Sequence, residues 1–198
     1  FRRVLFRSLL LGSCFTEHMG NGLKDLKFNV LQNPHGILFG VDAICKALED
    51  YILNKKYTAL ELFELNGVWS SWDHHSCYAS TDSSQAVLQM NASIEKGHNF
   101  LKQADYLILT LGSSFCYRLT NEATLAGKSN GDTVANCHRA PASWFKKELL
   151  SIETMVNRLT SCIQSIRQIN PSIQVIITVS PVRHIRDGVQ ENNRSKEI

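Results

Sequence analysis

Several short segments place nucleophilic or hydrogen-bonding residues directly after apolar runs. They are Gly12-Ser13-Cys14, Asn33-Pro34-His35-Gly36, Gly112-Ser113-Ser114 and Ser180-Pro181-Val182-Arg183-His184. In an open parallel sheet, ligands bind beyond the carboxyl ends of the strands, so we expect these segments at one rim. Together they offer a nucleophile, backbone donors for an oxyanion and an imidazole base, which are the groups that covalent acyl transfer requires.

Ser13 and Cys14 are the candidate nucleophiles. The run from Leu9 to Leu11 is typical of a buried parallel strand, and Gly12 lets the chain turn sharply after it. A helix is predicted to begin here, and its free N–H groups and dipole favour an anion, so a thiol at this position ionises more readily. The alternative interpretation is that the serine only caps the helix and the cysteine is a structural thiol.

The other candidate site residues lie in five loops. Gly36 and Gly112 could bring a backbone N–H close to an oxyanion, although turn geometry alone also explains a glycine at each position. His184, in the segment that follows the predicted strand at 173–179, is the candidate imidazole for the catalytic site. The candidate substrate-binding residues are Ser114, Asn136, His138, His74, His75 and Arg183.

The sequence argues against several other classes of site. His74, His75, Cys77, Cys137, His138 and His184 suggest a metal, but no HxxxH or CxxC spacing supports zinc, so we predict no metal and no other cofactor. No Walker loop or GxGxxG motif indicates nucleotide binding. A net charge of +3 with interleaved signs gives no electrostatic case for a nucleic-acid partner.

The pattern of elements predicts an α/β fold with a largely parallel sheet. Helices are predicted at 16–25, 41–56, 82–103 and 143–168, strands at 9–11, 27–31, 106–111 and 173–179, and a hairpin around Asn66-Gly67. Right-handed crossovers then place helices on both faces of the sheet. The polar stretch 121–132 is predicted to be a loop, and 191–198 to be the opening of a helix.

The 198 residues fit one domain, which we assign to 9–198 and interpret as truncated at its C-terminus. Residues 1–8 are interpreted as a frayed or foreign edge. We expect no membrane span. The six dispersed cysteines are interpreted as reduced thiols, which favours a cytoplasmic location. The oligomeric state is left open.

With these residues in view, the chain resembles the GSCFA-domain family, whose motif is seen here as Gly12-Ser13-Cys14-Phe15. The other matching segments are Asn33-Pro34-His35-Gly36-Ile37-Leu38, Ser71-Trp72-Asp73-His74-His75-Ser76, Leu109-Thr110-Leu111-Gly112, Val134-Ala135-Asn136-Cys137-His138 and the stretch from Ser180 to Gly188. That family is similar to the SGNH/GDSL hydrolases, which are mostly esterases, lipases and acetylhydrolases. The resemblance implies a three-layer α/β/α fold.

The resemblance also implies roles for single residues. In register with the Gly-Asp-Ser motif of the wider superfamily, Ser13 falls on Asp and Cys14 on the nucleophilic Ser, so either residue is a candidate. Gly36 resembles the oxyanion glycine. Gly112 resembles the glycine of the Gly-x-Asn motif, in which Ser114 takes the place of Asn and Asn136 is the candidate replacement.

The superfamily's catalytic His lies in a late Asp-x-x-His segment, a pattern that is absent from this sequence. His184 is therefore interpreted as a pocket residue, and the fragment is expected to be inactive. The expected function of the full-length protein is an acyl hydrolase (esterase or acetylesterase) or an acyltransferase that acts on a small-molecule or glycan ester. The alternative is a non-catalytic ligand-binding domain on the same fold.

Overall fold

A computed structural model of the chain describes residues 6–123, 128–182 and 188–197. The helices are α1 (Cys14–Asp25), α2 (Val41–Leu53), α3 (Ser83–Leu101), α4 (Ile152–Ile169) and α5 (Gly188–Glu197). The strands are β1 (Arg7–Gly12), β2 (Asn29–Gln32), β3 (Phe63–Leu65), β4 (Val68–Ser70), β5 (Tyr106–Leu111), β6 (Phe115–Leu119), β7 (Thr133–Val134), β8 (Phe145–Leu149) and β9 (Gln174–Val179). None of the helices described is long and apolar enough to cross a membrane.

The central sheet has the strand order β2-β1-β5-β9, and all of its neighbouring strands are parallel. The chain leaves β1 for one neighbour, β2, and later returns to the other neighbour, β5. The strand order therefore reverses between β1 and β5, and a crevice opens at such a point outside the carboxyl ends of the strands. This arrangement confirms the predicted α/β class with a mostly parallel sheet, and the flanking helices complete the three layers.

Alternating side chains of the strands form the main core. Leu9 and Leu11 of β1, together with Leu107 and Leu109 of β5, are fully buried in one cluster with apolar residues of α2, α3 and α4. Leu10 points to the opposite face, where α1 contacts the same strands. Two-sided burial explains why these strands are continuous apolar runs.

Two small antiparallel sheets lie outside the central one. The predicted hairpin at Asn66-Gly67 joins β3 to β4, and both turn residues have positive φ, as a type I′ turn requires. The order of the second small sheet is β7-β6-β8.

The predicted helix over 143–168 is wrong in its first part. Residues Phe145–Leu149 form β8, which pairs with β6 along its length. The helix begins only after Ser151, whose Oγ accepts a hydrogen bond from the Thr154 N–H at 3.2 Å. The long-range pairing with β6 and this cap together override the apolar spacing that suggested one continuous helix.

A buried polar cluster joins α2 to the loops that precede α3. His35 Nε2 and the Tyr57 hydroxyl lie 3.4 and 2.9 Å from Asp50 Oδ2, and Lys46 makes an ion pair with the same carboxylate. The Tyr57 hydroxyl is also 2.8 Å from Asp73 Oδ2. Burial acts to raise the pKa of Asp50, but His35 and Lys46 outweigh it and lower this pKa to about 2.

We expect Asp50→Asn to lower the free energy of unfolding at pH 7 by about 3–5 kcal/mol, because it removes one charge of a buried pair. The pKa of Asp50 lies below its ordinary value of 3.8, so its contribution is present above that pH and is lost as the pH falls towards 2. Urea unfolding across this range should therefore show a weaker pH dependence for the variant. Glu95→Gln, which breaks an exposed pair with Lys56, is the control and should change stability by less than about 1 kcal/mol. Equal effects of the two substitutions would contradict this account.

Candidate functional site

The structure brings three of the predicted segments together at the carboxyl edge of the sheet. The Gly12 N–H donates to Asn33 Oδ1 at 2.9 Å, which ties the end of β1 to the turn after β2. On the other side, the Ser13 N–H donates to the Thr110 carbonyl at 3.3 Å. These contacts place Ser13 and Cys14 at the point where the strand order reverses.

Ser13 and Cys14 differ in accessibility. Ser13 is the N-cap of α1, but its side chain makes no capping hydrogen bond, and it is only 1 % exposed. Within the described part of the chain, Ser13 Oγ has no hydrogen-bond partner. Cys14 is the first residue of α1, is partly exposed and is a free thiol. Its own N–H and that of Phe15 have no partner within the helix, whereas the Thr16 N–H donates to the Ser13 carbonyl at 2.9 Å.

The N–H groups of the two candidate oxyanion glycines are already hydrogen bonded. The Gly36 N–H donates to the Asn33 carbonyl at 2.8 Å, and the Gly112 N–H donates to the Phe39 carbonyl at 2.9 Å. A Cβ on Gly36 would lie 2.3 Å from the Cβ of His75, and a Cβ on Gly112 would lie 2.8 Å from Phe39 Cδ1. In this conformation both glycines permit close packing, and neither N–H is free to donate a hydrogen bond to an oxyanion.

The adjacent histidines His74 and His75 point in different directions. His74 is fully buried, and its ring stacks on His35 with centroids 4.3 Å apart. Burial lowers the pKa of His74 far below its ordinary value. His75 is partly exposed and packs over Gly36, and burial lowers its pKa while Glu17 of α1 acts to raise it.

Asn136 and His138 form a small structured loop beside His75. The His138 N–H donates to Asn136 Oδ1 at 2.8 Å, and His138 Nε2 donates to the Ser71 carbonyl at 2.7 Å. Burial lowers the pKa of His138, and the Ser71 carbonyl acts in the opposite direction. Asn136, His138 and His75 line one cavity of about 560 Å³.

Ser114 is covered by the last helix. Its Oγ donates to the Ser195 carbonyl of α5 at 2.6 Å, and the hydroxyls of Ser113 and Ser195 are 3.3 Å apart. The next residue, Lys196, donates to the Ser180 carbonyl at the end of β9. Burial lowers the pKa of Lys196, and Cys14 lies close enough for its charge to act in the opposite direction.

Ser195 and Lys196 were not predicted as site residues from the sequence. The available signal was the spacing of Asn192, Ser195 and Lys196, which is i, i+3 and i+4 and places them on one face of a helix. Asn192 and Ser195 are indeed buried there. Only the tertiary structure shows that this face lies against the carboxyl edge of the sheet.

The remaining candidates are not placed by the structure. Arg183 and His184 lie outside the described residues, so their predicted roles stay predictions. Within residues 6–123, 128–182 and 188–197, no group of three or more His, Cys, Asp or Glu side chains is arranged to hold a metal ion.

Comparison with known families gives one match. The model described as the GSCFA family matches residues 7–198. Comparisons with curated proteins and with solved structures give no match.

We expect Gly36→Ala to destabilise the protein by about 1–3 kcal/mol from backbone strain alone, because φ at this residue is +81°. The clash with His75 adds to this cost and should shift the imidazole signals of His75 in NMR spectra. Gly22→Ala in α1 is the matched control: nothing lies within 4 Å of the added Cβ, so it should stabilise by about 0.5–1 kcal/mol. Two substitutions of equal effect in urea unfolding would show that the packing of Gly36 is not as described.

Proposed function

The chain belongs to the GSCFA family, and we propose that it is an acyl hydrolase or acyltransferase in which Cys14 is the nucleophile. One observation carries the proposal: a partly exposed thiol begins α1 at the reversal of strand order in a parallel sheet. The resemblance to the SGNH/GDSL hydrolases supports the same reaction class. We favour Cys14 over Ser13 because substrate cannot reach a hydroxyl that is buried beneath the start of the helix.

The proposed reaction proceeds through a thioester. Cys14 gives its proton to a general base, for which His184 is the candidate, and its sulfur attacks the ester carbonyl carbon, so that the carbonyl oxygen becomes an oxyanion. The base later returns this proton to the leaving group. As the tetrahedral intermediate collapses, the C–O bond to the alcohol breaks and the alkoxide takes a proton. Water then resolves the thioester in a hydrolase, whereas a second alcohol does so in a transferase.

Donors for the oxyanion come from two places. The first-turn N–H groups of Cys14 and Phe15 have no intrahelical partners, and the helix dipole favours negative charge there. The amide of Asn136 is the second source. Its Oδ1 is held by the His138 N–H, which leaves Nδ2 as the donor that can be directed towards the cavity.

Lys196 of α5 supplies a positive charge close to the proposed nucleophile. It is held at the carboxyl edge of the sheet by the Ser180 carbonyl, while Ser195 fixes the end of α5 against Ser114. An ammonium in this place attracts anionic groups that approach Cys14 and the start of α1. His184, which lies outside the described residues, stays the candidate imidazole base.

A ligand-binding domain without turnover is the second candidate function. It is favoured by the hydrogen bonds that occupy the N–H groups of Gly36 and Gly112. This alternative predicts that esters bind without acylating Cys14.

We expect Cys14→Ala to abolish the burst of nitrophenolate from nitrophenyl acetate, a loss of at least about a thousandfold in the rate of acylation. The burst measures thioester formation and therefore does not require the step that resolves it. Ser13→Ala is the matched control and should retain the burst, because Ser13 Oγ is buried. A burst that survives in Cys14→Ala and disappears in Ser13→Ala would reverse the assignment, and a burst in neither the wild type nor the variants would favour the binding domain.

We expect Lys196→Met to slow the alkylation of Cys14 by the anionic reagent iodoacetate at neutral pH several-fold, because the ammonium attracts the incoming carboxylate. Lys196→Arg keeps the charge and should restore most of the rate. Lys24→Met, at the opposite end of α1, is the control and should have no effect. Alkylation followed by peptide mass spectrometry measures the rate at Cys14, and equal rates in all four proteins would remove Lys196 from the account.

A further inference from the structure

The cavity that Asn136, His138 and His75 line carries positive charge without a matching negative charge. Its volume is about 560 Å³, and its lining includes Arg139, Lys147, His75 and His138. No aspartate or glutamate is among the described residues that line it. A concave site that offers cations without carboxylates attracts a negatively charged ligand.

The strand β8 explains how one of these cations comes to face the cavity. Side chains alternate along a strand, so Lys147 points away from the face that carries Lys146 and Glu148. Glu148 is engaged on that face by Lys146 at 2.7 Å and by Arg118 at 2.8 Å. Lys147 instead lies over the ring of Phe115, with Nζ 3.9 Å from its centroid.

The second cation, Arg139, lies in a strained loop. His138 and Arg139 are consecutive non-glycine residues with φ of 49° and 58°, in the left-handed region. Such residues cost free energy and persist only where surrounding contacts hold them, and they are concentrated at functional sites. Here the contacts are the Asn136 side chain on the His138 N–H and the Ser71 carbonyl on the His138 ring. They fix the loop so that Arg139 lies at the cavity.

Two residues connect this cavity to the start of α1. Phe39 lines the cavity and also packs against Gly112, whose added Cβ would lie 3.3 Å from the Cβ of Ser13. His75 lines the cavity as well, and it interacts with Glu17, one helical turn after Cys14. The side chains of Phe39 and His75 therefore lie between the cavity and the start of α1, where the ester would be held.

We propose that this cavity binds a carboxylate of the substrate, so that the protein acts on anionic esters in preference to neutral ones. Arg139 offers a planar pair of N–H donors that suits a carboxylate, and Lys147 adds a second charge. The preference for turnover rests on the proposed acyl transfer at Cys14. The affinity of the cavity for a carboxylate is independent of that reaction.

The experiment compares esters that differ in charge. Nitrophenyl hemisuccinate carries the carboxylate on the acyl side, carboxyphenyl acetate carries it on the alcohol side, and nitrophenyl acetate is neutral. We expect one of the anionic esters to have a kcat/KM at least about tenfold above that of the neutral ester. The increase should come from a lower KM, with kcat little changed. Arg139→Met and Lys147→Met should each reduce this ratio about tenfold, whereas Lys146→Met, on the other face of β8, should not. A ratio near one for both anionic esters, or equal effects of Lys146→Met and Lys147→Met, would overturn the proposal.

A binding measurement separates this proposal from the proposed function. Calorimetric titration of Cys14→Ala with succinate and with succinamide tests the cavity without any chemistry. Succinate should bind at least about tenfold more tightly, and Arg139→Met should remove the difference. If succinate binds in this way but no ester acylates the wild type, the cavity is correct and the acyl-transfer function is wrong. If esters acylate Cys14 but succinate and succinamide bind equally, the acyl-transfer function is correct and the carboxylate site is wrong.

Discussion

The structure depends on a close approach of backbones at Gly12. Its φ is +146°, and an added Cβ would lie 2.2 Å from the Thr110 carbonyl oxygen, so no other residue fits between β1 and β5 here. Gly12 also makes two hydrogen bonds to neighbouring loops. Its N–H donates to Asn33 Oδ1 in the turn after β2, and its carbonyl accepts from the Leu38 N–H in the loop before α2. The start of α1 is thereby fixed at the reversal of strand order, and the thiol of Cys14 follows from that placement.

A second constraint holds the loops that surround this point. The His35 side chain is bound to Asp50 and lies 2.8 Å from the Tyr51 hydroxyl, both on α2, while its carbonyl accepts the His75 N–H. The turn that carries Gly36 and the loop that carries His75 are therefore fixed together by one buried residue. Since buried ionised groups are tolerated only with their partners, this cluster gives the loops a single arrangement.

Much of the fold could be predicted from the sequence because its signals are local. The apolar run of β5 was predicted with its observed bounds, and Asn66-Gly67 gave the hairpin. By contrast, β6 was not predicted and β8 was assigned to a helix, because both strands depend on pairing between distant segments. Phe145–Leu149 is mostly charged and lies directly before a strongly amphipathic helix, so its local pattern merges with that of α4.

The candidate site also combines residues that local sequence predicts with features that only the tertiary structure shows. Ser13 and Cys14 could both be predicted as candidate nucleophiles, because a glycine, a nucleophile and a helix start are adjacent in sequence. The burial of Ser13, the engaged amides of Gly36 and Gly112 and the approach of Lys196 are tertiary facts. Arg139 could not be predicted from the sequence, because it reaches the cavity only through the left-handed conformation of its loop. Contacts with Ser71 and Asn136, which are tertiary or depend on the folded loop, hold that conformation.

The most direct test of the account is to identify which residue becomes acylated. After brief exposure to nitrophenyl acetate and an acid quench, peptide mass spectrometry locates the acetyl group. Cys77 provides an internal comparison, because it is the more exposed thiol and burial raises its pKa. The account predicts acetylation at Cys14 well ahead of Cys77 and none at Ser13. Acetylation at Ser13, or equal acetylation of the two cysteines, would contradict the claim that the start of α1 carries a dedicated nucleophile.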